Sequence, residues 1–300
     1  MLKIAWAPIY AHSLPVGHRF PMIKYELLPE QLLYEGTIQS QNLFEPKPMS
    51  EEIILQVHDI AYWQKLIDLN LSRKEERKTG FPLSKGLVER EITILDGTLQ
   101  ASIYALKYGV GMNVAGGTHH AYRDRGEGFC LLNDVAVSAQ YLLDHYLAKQ
   151  ILVVDLDVHQ GNGTAKIFEN ESRVFTFSMH GAKNYPMHKE KSDLDVELAD
   201  GTGDTEYLKK LNFHLDKLVE AVNPDFVFFV SGVDILATDK LGRLGVSLEG
   251  CKGRDRMVIE MCKSLKLPLV ISMGGGYSEK IQHIVEAHAN TFRLTQEIYF

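Results

Sequence analysis

In Asp155-Leu156-Asp157-Val158-His159, two carboxylates and an imidazole recur at every second residue. On an extended chain such residues point to one side, and a carboxylate and an imidazole two apart can both reach one divalent ion. The next residues, Gln160-Gly161-Asn162-Gly163-Thr164, read as a glycine-bearing turn into a helix. Alone, D-x-D-x-H is equally well a strand end with a helix-capping Asp and a solvated His. Asp234 tips the balance. It follows the apolar FVFFVSGV, where a carboxylate is costly unless paired or metal-bound, although an N-cap satisfied by Ser231 would also account for it. Asp157, His159 and Asp234 would supply one nitrogen and two carboxylate ligands, a set that suits a catalytic zinc with an open position. The lack of a cysteine ligand leaves iron(II), manganese and cobalt open.

His119-His120 ends the run GGTHH. Neighbours on an extended chain diverge, so these two suit distinct roles beside a metal rather than chelation. A His held by a carboxylate keeps a fixed tautomer and a higher basicity. Gly274-Gly275-Gly276-Tyr277 offers backbone that a ligand can approach closely and a phenol able to donate to a developing oxyanion. It is not a G-x-G-x-x-G fingerprint, so no dinucleotide site is read there. In Gly126-Glu127-Gly128-Phe129-Cys130, Phe129 is a candidate channel wall, and Cys130, with no paired base, reads as a small packing residue.

Five apolar runs carry this chemistry: Gly111 to Gly117, Ile151 to Asp157, Val174 to His180, Phe226 to Asp234 and Leu269 to Tyr277. They are continuous in Val, Ile and Phe rather than alternating, which predicts strands of a parallel sheet buried on both faces. Asn133 to Tyr146, Thr205 to Val222 and Cys251 to Leu265 show helical spacing between them. The fold class expected is α/β: an open parallel sheet flanked by helices, with residues 1–300 as one domain. Each run ends in acids, histidines or glycines, and ligands of open parallel sheets bind outside the carboxyl ends of the strands. These loops are therefore expected to share one site. Ser72 to Lys78, SRKEERK, is the most polar stretch; its mixed charge reads as a solvated loop, and the segment Arg73 to Lys85 is a candidate for the rim.

Composition narrows the function class. The 300 residues are 45% hydrophobic and 24% charged, which excludes disorder and collagen-like repeats. The formal charge of −7 gives no basic field for nucleic acid or anionic lipid. Cys130, Cys251 and Cys262 form neither a disulfide framework nor a C-x-x-C. MLKIAWAP lacks the apolar region of a signal peptide, and no apolar run is long enough to span a bilayer. A reducing cytoplasmic setting, with no membrane and no direct nucleic-acid partner, is the expectation.

From HSLPVGHRFPMIKY to SMGGGY the chain resembles the histone deacetylase family of arginase-fold, metal-dependent amidohydrolases. GGTHHAYRDRGEGFCLLND and DLDVHQGNGT are highly specific as an ordered pair, and the HQGNG wording looks most like the class IV branch and its bacterial relatives. The resemblance implies zinc on Asp157, His159 and Asp234, with iron(II) as the alternative metal. It makes His120 the general base and then acid, His119 an electrostatic partner held by Asp155, and Tyr277 the oxyanion donor. It implies an acyl-lysine channel formed by Gly128, Phe129, Tyr185, Leu241, Gly275 and Gly276. Arg19 matches the arginine near the acetate exit. A structural potassium is implied on Asp155, Asp157, His159, Ser178 and Met179. The partner of His120 is Asn162 here, where class I members carry Asp; a neutral amide orients the imidazole without raising its basicity. The activity implied is removal of acetyl or longer acyl groups from N-acyl-lysine peptides or small N-acyl amines such as acetylpolyamines. An arginase-like dimanganese hydrolase ranks lower, because Ile235-Leu236-Ala237 after Asp234 supplies no bridging carboxylate. A non-catalytic acyl-lysine reader also ranks lower, because every residue the chemistry requires is present.

Overall fold

The computed structural model describes residues 1–300. Eight parallel strands form one sheet: β1 (Ile4–Ala5), β2 (Leu43–Phe44), β3 (Val110–Asn113), β4 (Ile151–Asp155), β5 (Val174–Gly181), β6 (Leu194–Leu198), β7 (Phe226–Val230) and β8 (Leu269–Ser272). Their order across the sheet is β2-β1-β3-β8-β7-β4-β5-β6. The helices are α1 (Lys24–Tyr34), α2 (Glu51–Ile54), α3 (Ile60–Ile67), α4 (Arg73–Thr79), α5 (Lys85–Tyr108), α6 (Asp134–Asp144), α7 (Asn162–Phe168), α8 (Asp204–Val222), α9 (Leu248–Leu265) and α10 (Ile281–Tyr299). The open parallel α/β sheet expected from the apolar runs is the architecture found. A single cluster of 80 buried residues forms the core. α5 packs on β3, β8 and α6, and α10 packs against α9 and α1. No helix is long and apolar enough to cross a membrane.

Every residue of β3, β4, β7 and β8 is buried, which explains their unbroken apolar sequences: a strand covered on both faces has no solvent side to alternate with. Their register places Asn113, Ser272, Val230, Asp155 and Ser178 in one row across the sheet. The loops that leave β3, β8, β7 and β4 are thus neighbours, and these are GGTHH, GGGY, SGVD and the segment Leu156 to His159.

β3, β4, β7 and β8 end earlier than their apolar runs suggest, whereas β5 continues one residue past its run. β4 stops at Asp155 and β7 at Val230. Asp155, Asp157 and His159 are therefore not displayed along one side of an extended strand. Beyond Leu156 the backbone amides leave the ladder and donate to carboxylates: Asp157 N to Asp155 Oδ1 at 3.2 Å, His159 N to Asp157 Oδ1 at 3.0 Å, and Val158 N to Asp234 Oδ1 at 2.9 Å. Each accepted N–H holds its carboxylate in place and favours the charged form against the burial that opposes it.

Ser72 to Lys78 is not a solvated loop. Ser72 caps α4 through a reciprocal box with Glu75, and Gly80 closes the helix in the left-handed region at φ 78°. The signal was in the sequence, since S-x-x-E is the capping-box pattern; the surrounding charge obscured it. The helix is tied to the candidate site: Gly128 N donates to Lys78 O at 3.0 Å and Phe129 N to Thr79 O at 2.7 Å.

Candidate active site

Asp157, His159 and Asp234 are buried, and their ligating atoms all lie within 4.8 Å of one another. His159 Nδ1 sits 3.0 Å from Asp157 Oδ1 and 3.1 Å from Asp234 Oδ2. Burial, reinforced by the charge of Asp157, pushes the Asp234 carboxyl up to about 7. Burial works to lower the His159 imidazole, but its two carboxylate partners win and raise it to about 10. Two buried carboxylates thus draw a positive charge onto the imidazole between them. A divalent cation answers the same demand and leaves the imidazole neutral, as a ligand must be; the donor set fits one. Arg254 of α9 is fully buried and holds the backbone of both ligand loops, donating to Leu156 O and Gly232 O at 3.0 Å each.

His119 Nδ1 lies 2.6 Å from Asp155 Oδ2. Burial opposes its charge, but Asp155 and Asp157 raise it to about 9. His120 is its opposite: burial first, then the neighbouring His119 and His159, hold it well below the ordinary range. The two rings do not diverge as on an extended strand, because residues 118–121 form a turn; their centroids are 4.1 Å apart. Asn162 Oδ1 lies 2.6 Å from His120 Nδ1, while Asn162 Nδ2 donates to Tyr122 Oη at 2.9 Å. That polarity makes Nδ1 of His120 the N–H and leaves Nε2 its free lone pair. Tyr277 is carried by a loop whose backbone N donates to Asp239 Oδ2 at 2.6 Å. Burial and the nearby acids keep its phenol protonated, hence a donor.

Two cavities meet here. The outer one, about 690 Å³, is bordered by His120, His159, Tyr277, Phe129, Tyr185 and Leu241. The inner one, about 30 Å³, shares His120, His159, Phe129 and Tyr277 with it and is closed by Tyr25, Arg90 and Ile94. Phe129 is braced by Phe20 and Phe81, with ring centroids 5.1 and 5.3 Å away. Tyr185 stands edge-on to His120 at 5.0 Å and donates to Glu127 Oε2 at 2.5 Å. Gly128 borders both cavities, and a Cβ there would lie 2.5 Å from the His120 ring. Gly275 N donates to Asp157 Oδ2 at 2.8 Å, and a Cβ at Gly275 would collide with Asp234 Oδ2, so only glycine fits between the two carboxylates. Gly276 lines neither cavity; a Cβ there would lie 2.6 Å from Val233 Cγ2.

A sequence profile described as the histone deacetylase domain matches residues 18–292. The chain belongs to the histone deacetylase family. Over 296 residues, 99% of both chains, it is 40% identical to an uncharacterized protein of Picosynechococcus sp.. It is 28% identical to Histone deacetylase 2 of Arabidopsis thaliana, covering 89% of this chain and 72% of that one, and 28% identical to the acetoin utilization protein AcuC of Staphylococcus aureus, covering 86% and 72%. A histone deacetylase homolog solved with SAHA superposes with a TM-score of 0.87 at 24% identity, over 99% of this chain and 84% of that one. One from Aquifex aeolicus gives 0.84 at 23%, over 98% and 84%. Family membership makes the protein a hydrolase acting on amides.

Within this histone deacetylase fold, Arg19 is not where it was expected. It is exposed at the outer mouth, its guanidinium 4.9 Å from the Phe129 ring centre, and does not reach the inner cavity. The inner cavity is lined instead by the buried Arg90, whose Nε donates to Tyr10 O at 2.8 Å; Lys24, at the start of α1, is also buried, and its Nζ donates to Gly274 O at 3.1 Å. Burial lowers that ammonium to about 8, against the pull of Asp234 and Asp157. Residues 19–20 form a bend that turns Phe20 into the core and leaves the Arg19 side chain exposed. Sequence reasoning also passed over Asp134. Its carboxylate accepts from Gly117 N at 3.1 Å, Thr118 N at 2.8 Å and Thr98 Oγ1 at 2.7 Å, and so fixes the loop before the histidines. An acid in the first turn after the Asn133 cap looks like ordinary helix chemistry, which concealed that role. Ser178 and Met179 lie on β5, with Ser178 paired in register to Asp155; Ser178 Oγ is 2.9 Å from His180 Nδ1. Cys130 is buried and its thiol is pushed up by burial, as befits a packing residue.

Proposed function

We propose that this protein is a zinc-dependent deacylase that removes a short acyl group from an Nε-acyl-lysine side chain or a related N-acyl amine. The observation that carries the reading is the free Nε2 of His120 in a cavity bordered by Tyr277 and by Asp157 and His159 of the Asp157–His159–Asp234 cluster. A divalent ion on that cluster would polarise the amide carbonyl and acidify a water, the usual contribution of such a site. The protein's own groups do the rest. His120, neutral at physiological pH, takes the water proton at Nε2 and returns it to the departing amine. Tyr277 donates its phenolic hydrogen to the carbonyl oxygen as negative charge develops. His119, held by Asp155, keeps a positive charge beside that oxyanion. The acyl-bearing amine enters along Phe129 and Tyr185, and the same reading keeps a structural potassium at Asp155, Asp157, His159, Ser178 and Met179. The test is turnover of acyl-lysine peptides by zinc-reconstituted protein, with inhibition by a hydroxamate. A metal-loaded preparation that cleaves no acyl-lysine peptide and no small N-acyl amine would refute the reading.

The inner cavity supports acetyl as the acyl group. At about 30 Å³ it has room for a methyl group or a water or two, not for an alkyl chain. Forcing extra methylenes into a packed site costs about 1–3 kcal/mol, so acetyl should exceed octanoyl by roughly tenfold or more in kcat/KM. Equal rates on the two peptides would show that the cavity yields.

Asn162→Asp should move the acidic limb of the pH–rate profile to higher pH. His120 must be neutral to accept a proton, and its imidazole is held low by burial and by the charges of His119 and His159. A carboxylate in place of the amide stabilises the imidazolium, typically by about one pKa unit or more. A limb that stays in place would remove Asn162 from that role.

A further inference from the structure

The mouth of the outer cavity reverses the charge of the rest of the protein. The whole chain carries a formal −7. The cavity wall nevertheless bears Arg19, Arg77, Lys78, Arg125, Lys183 and Arg243, against only two carboxylates, Glu127 and Glu190. Glu127 is already neutralised, since Lys78 Nζ and Arg125 Nε each donate to it at 2.9 Å. Lys183 and Arg243 share one acid outside the cavity, Asp200, at 3.8 and 3.3 Å. Arg19 and Arg77 have no carboxylate partner: the first lies against the Phe129 ring and the second donates to the backbone oxygen of Arg73 at 3.2 Å. The six cations come from five separate segments of chain, spread around a space of about 690 Å³. A single small anion is instead held by donors that converge on it, as in a bidentate Arg pair.

We propose that the substrate of this deacylase is an acyl-lysine flanked by acidic residues, recognised by the cationic mouth through charges on either side of the modified lysine. The inference rests on the deacylase reading above and adds the class of substrate to it. A cleft lined by one sign of charge raises the local concentration of the opposite sign and speeds its capture. It also repels its own kind. An acylated polyamine brings ammonium groups to the same cations, and a lysine-rich tail does so several times over.

The experiment uses zinc-loaded enzyme and three Nε-acetyl-lysine peptides of equal length, flanked by Asp, by Ser or by Lys. At low ionic strength the Asp peptide should exceed the Lys peptide about tenfold or more in kcat/KM, with Ser between them. About 0.5 M NaCl, which shortens the screening length to a few ångströms, should shrink the ratio to near unity. The double variant Arg19→Glu/Arg77→Glu should invert the order, and Lys183→Glu should reduce the ratio independently if the double variant folds poorly. Equal rates on the three peptides, or an order unmoved by these exposed substitutions, overturns the proposal while the deacylase reading stands. Turnover of none of the three counts against the deacylase reading itself and takes this proposal with it.

Discussion

Replacing His120 by alanine should lower kcat by about 100- to 10,000-fold, the usual contribution of a positioned acid–base group, while the protein keeps its metal. The two effects separate because His120 is not one of the clustered ligands. Its Nδ1 is committed to Asn162 at 2.6 Å, and it meets the His159 ring only edge-on at 5.9 Å. Removing it opens space between the two cavities but leaves Asp157, His159 and Asp234 with the backbone bonds that fix them. Elemental analysis should find near-stoichiometric metal in the variant. Retained turnover would dismiss His120 as the proton carrier, and lost metal would place it among the ligands instead.

Asp157→Ala should lose both metal and activity, and stability with them. This carboxylate accepts from His159 N at 3.0 Å and Gly275 N at 2.8 Å, so truncation orphans two buried amides. Each unpaired buried donor costs about 1–3 kcal/mol, and the glycine loop that carries Tyr277 loses an anchor. Asp157→Asn separates the contributions, since the amide oxygen can keep one of those bonds while the charge that holds a cation is gone. That variant should melt closer to the parent apoprotein yet bind no metal. Stoichiometric metal in Asp157→Asn would show that the cation sits elsewhere.

The same residues show where reading the chain succeeds. Asp157, His159 and Asp234 were legible because a carboxylate after a fully apolar strand has few inexpensive environments, and because five apolar runs ended in the same kinds of side chain. β1 and β2 left no trace, being two residues each. The edge strand β6, LDVEL, carries charge on its open side and so lacks the apolar continuity of the buried strands. α5 hides its helical pattern behind an interior glycine, Gly97, whose reason is tertiary: a Cβ there would collide with Tyr10 Oη.

The order of residue types along the chain determined which atoms are available for chemistry and that the loops bearing them leave one edge of a parallel sheet. Local pattern suffices for that, since burial on both faces dictates apolar runs and each strand end presents the residues next in the chain. Only the tertiary structure decided that Arg90 and Lys24 are buried behind the site while Arg19 stays exposed, that Asn162 leaves Nε2 of His120 free, and that six cations surround the mouth of an acidic protein. Those facts depend on which distant segments meet. Contacts between residues far apart in sequence are set by the packing of the whole core, which no short stretch of sequence encodes.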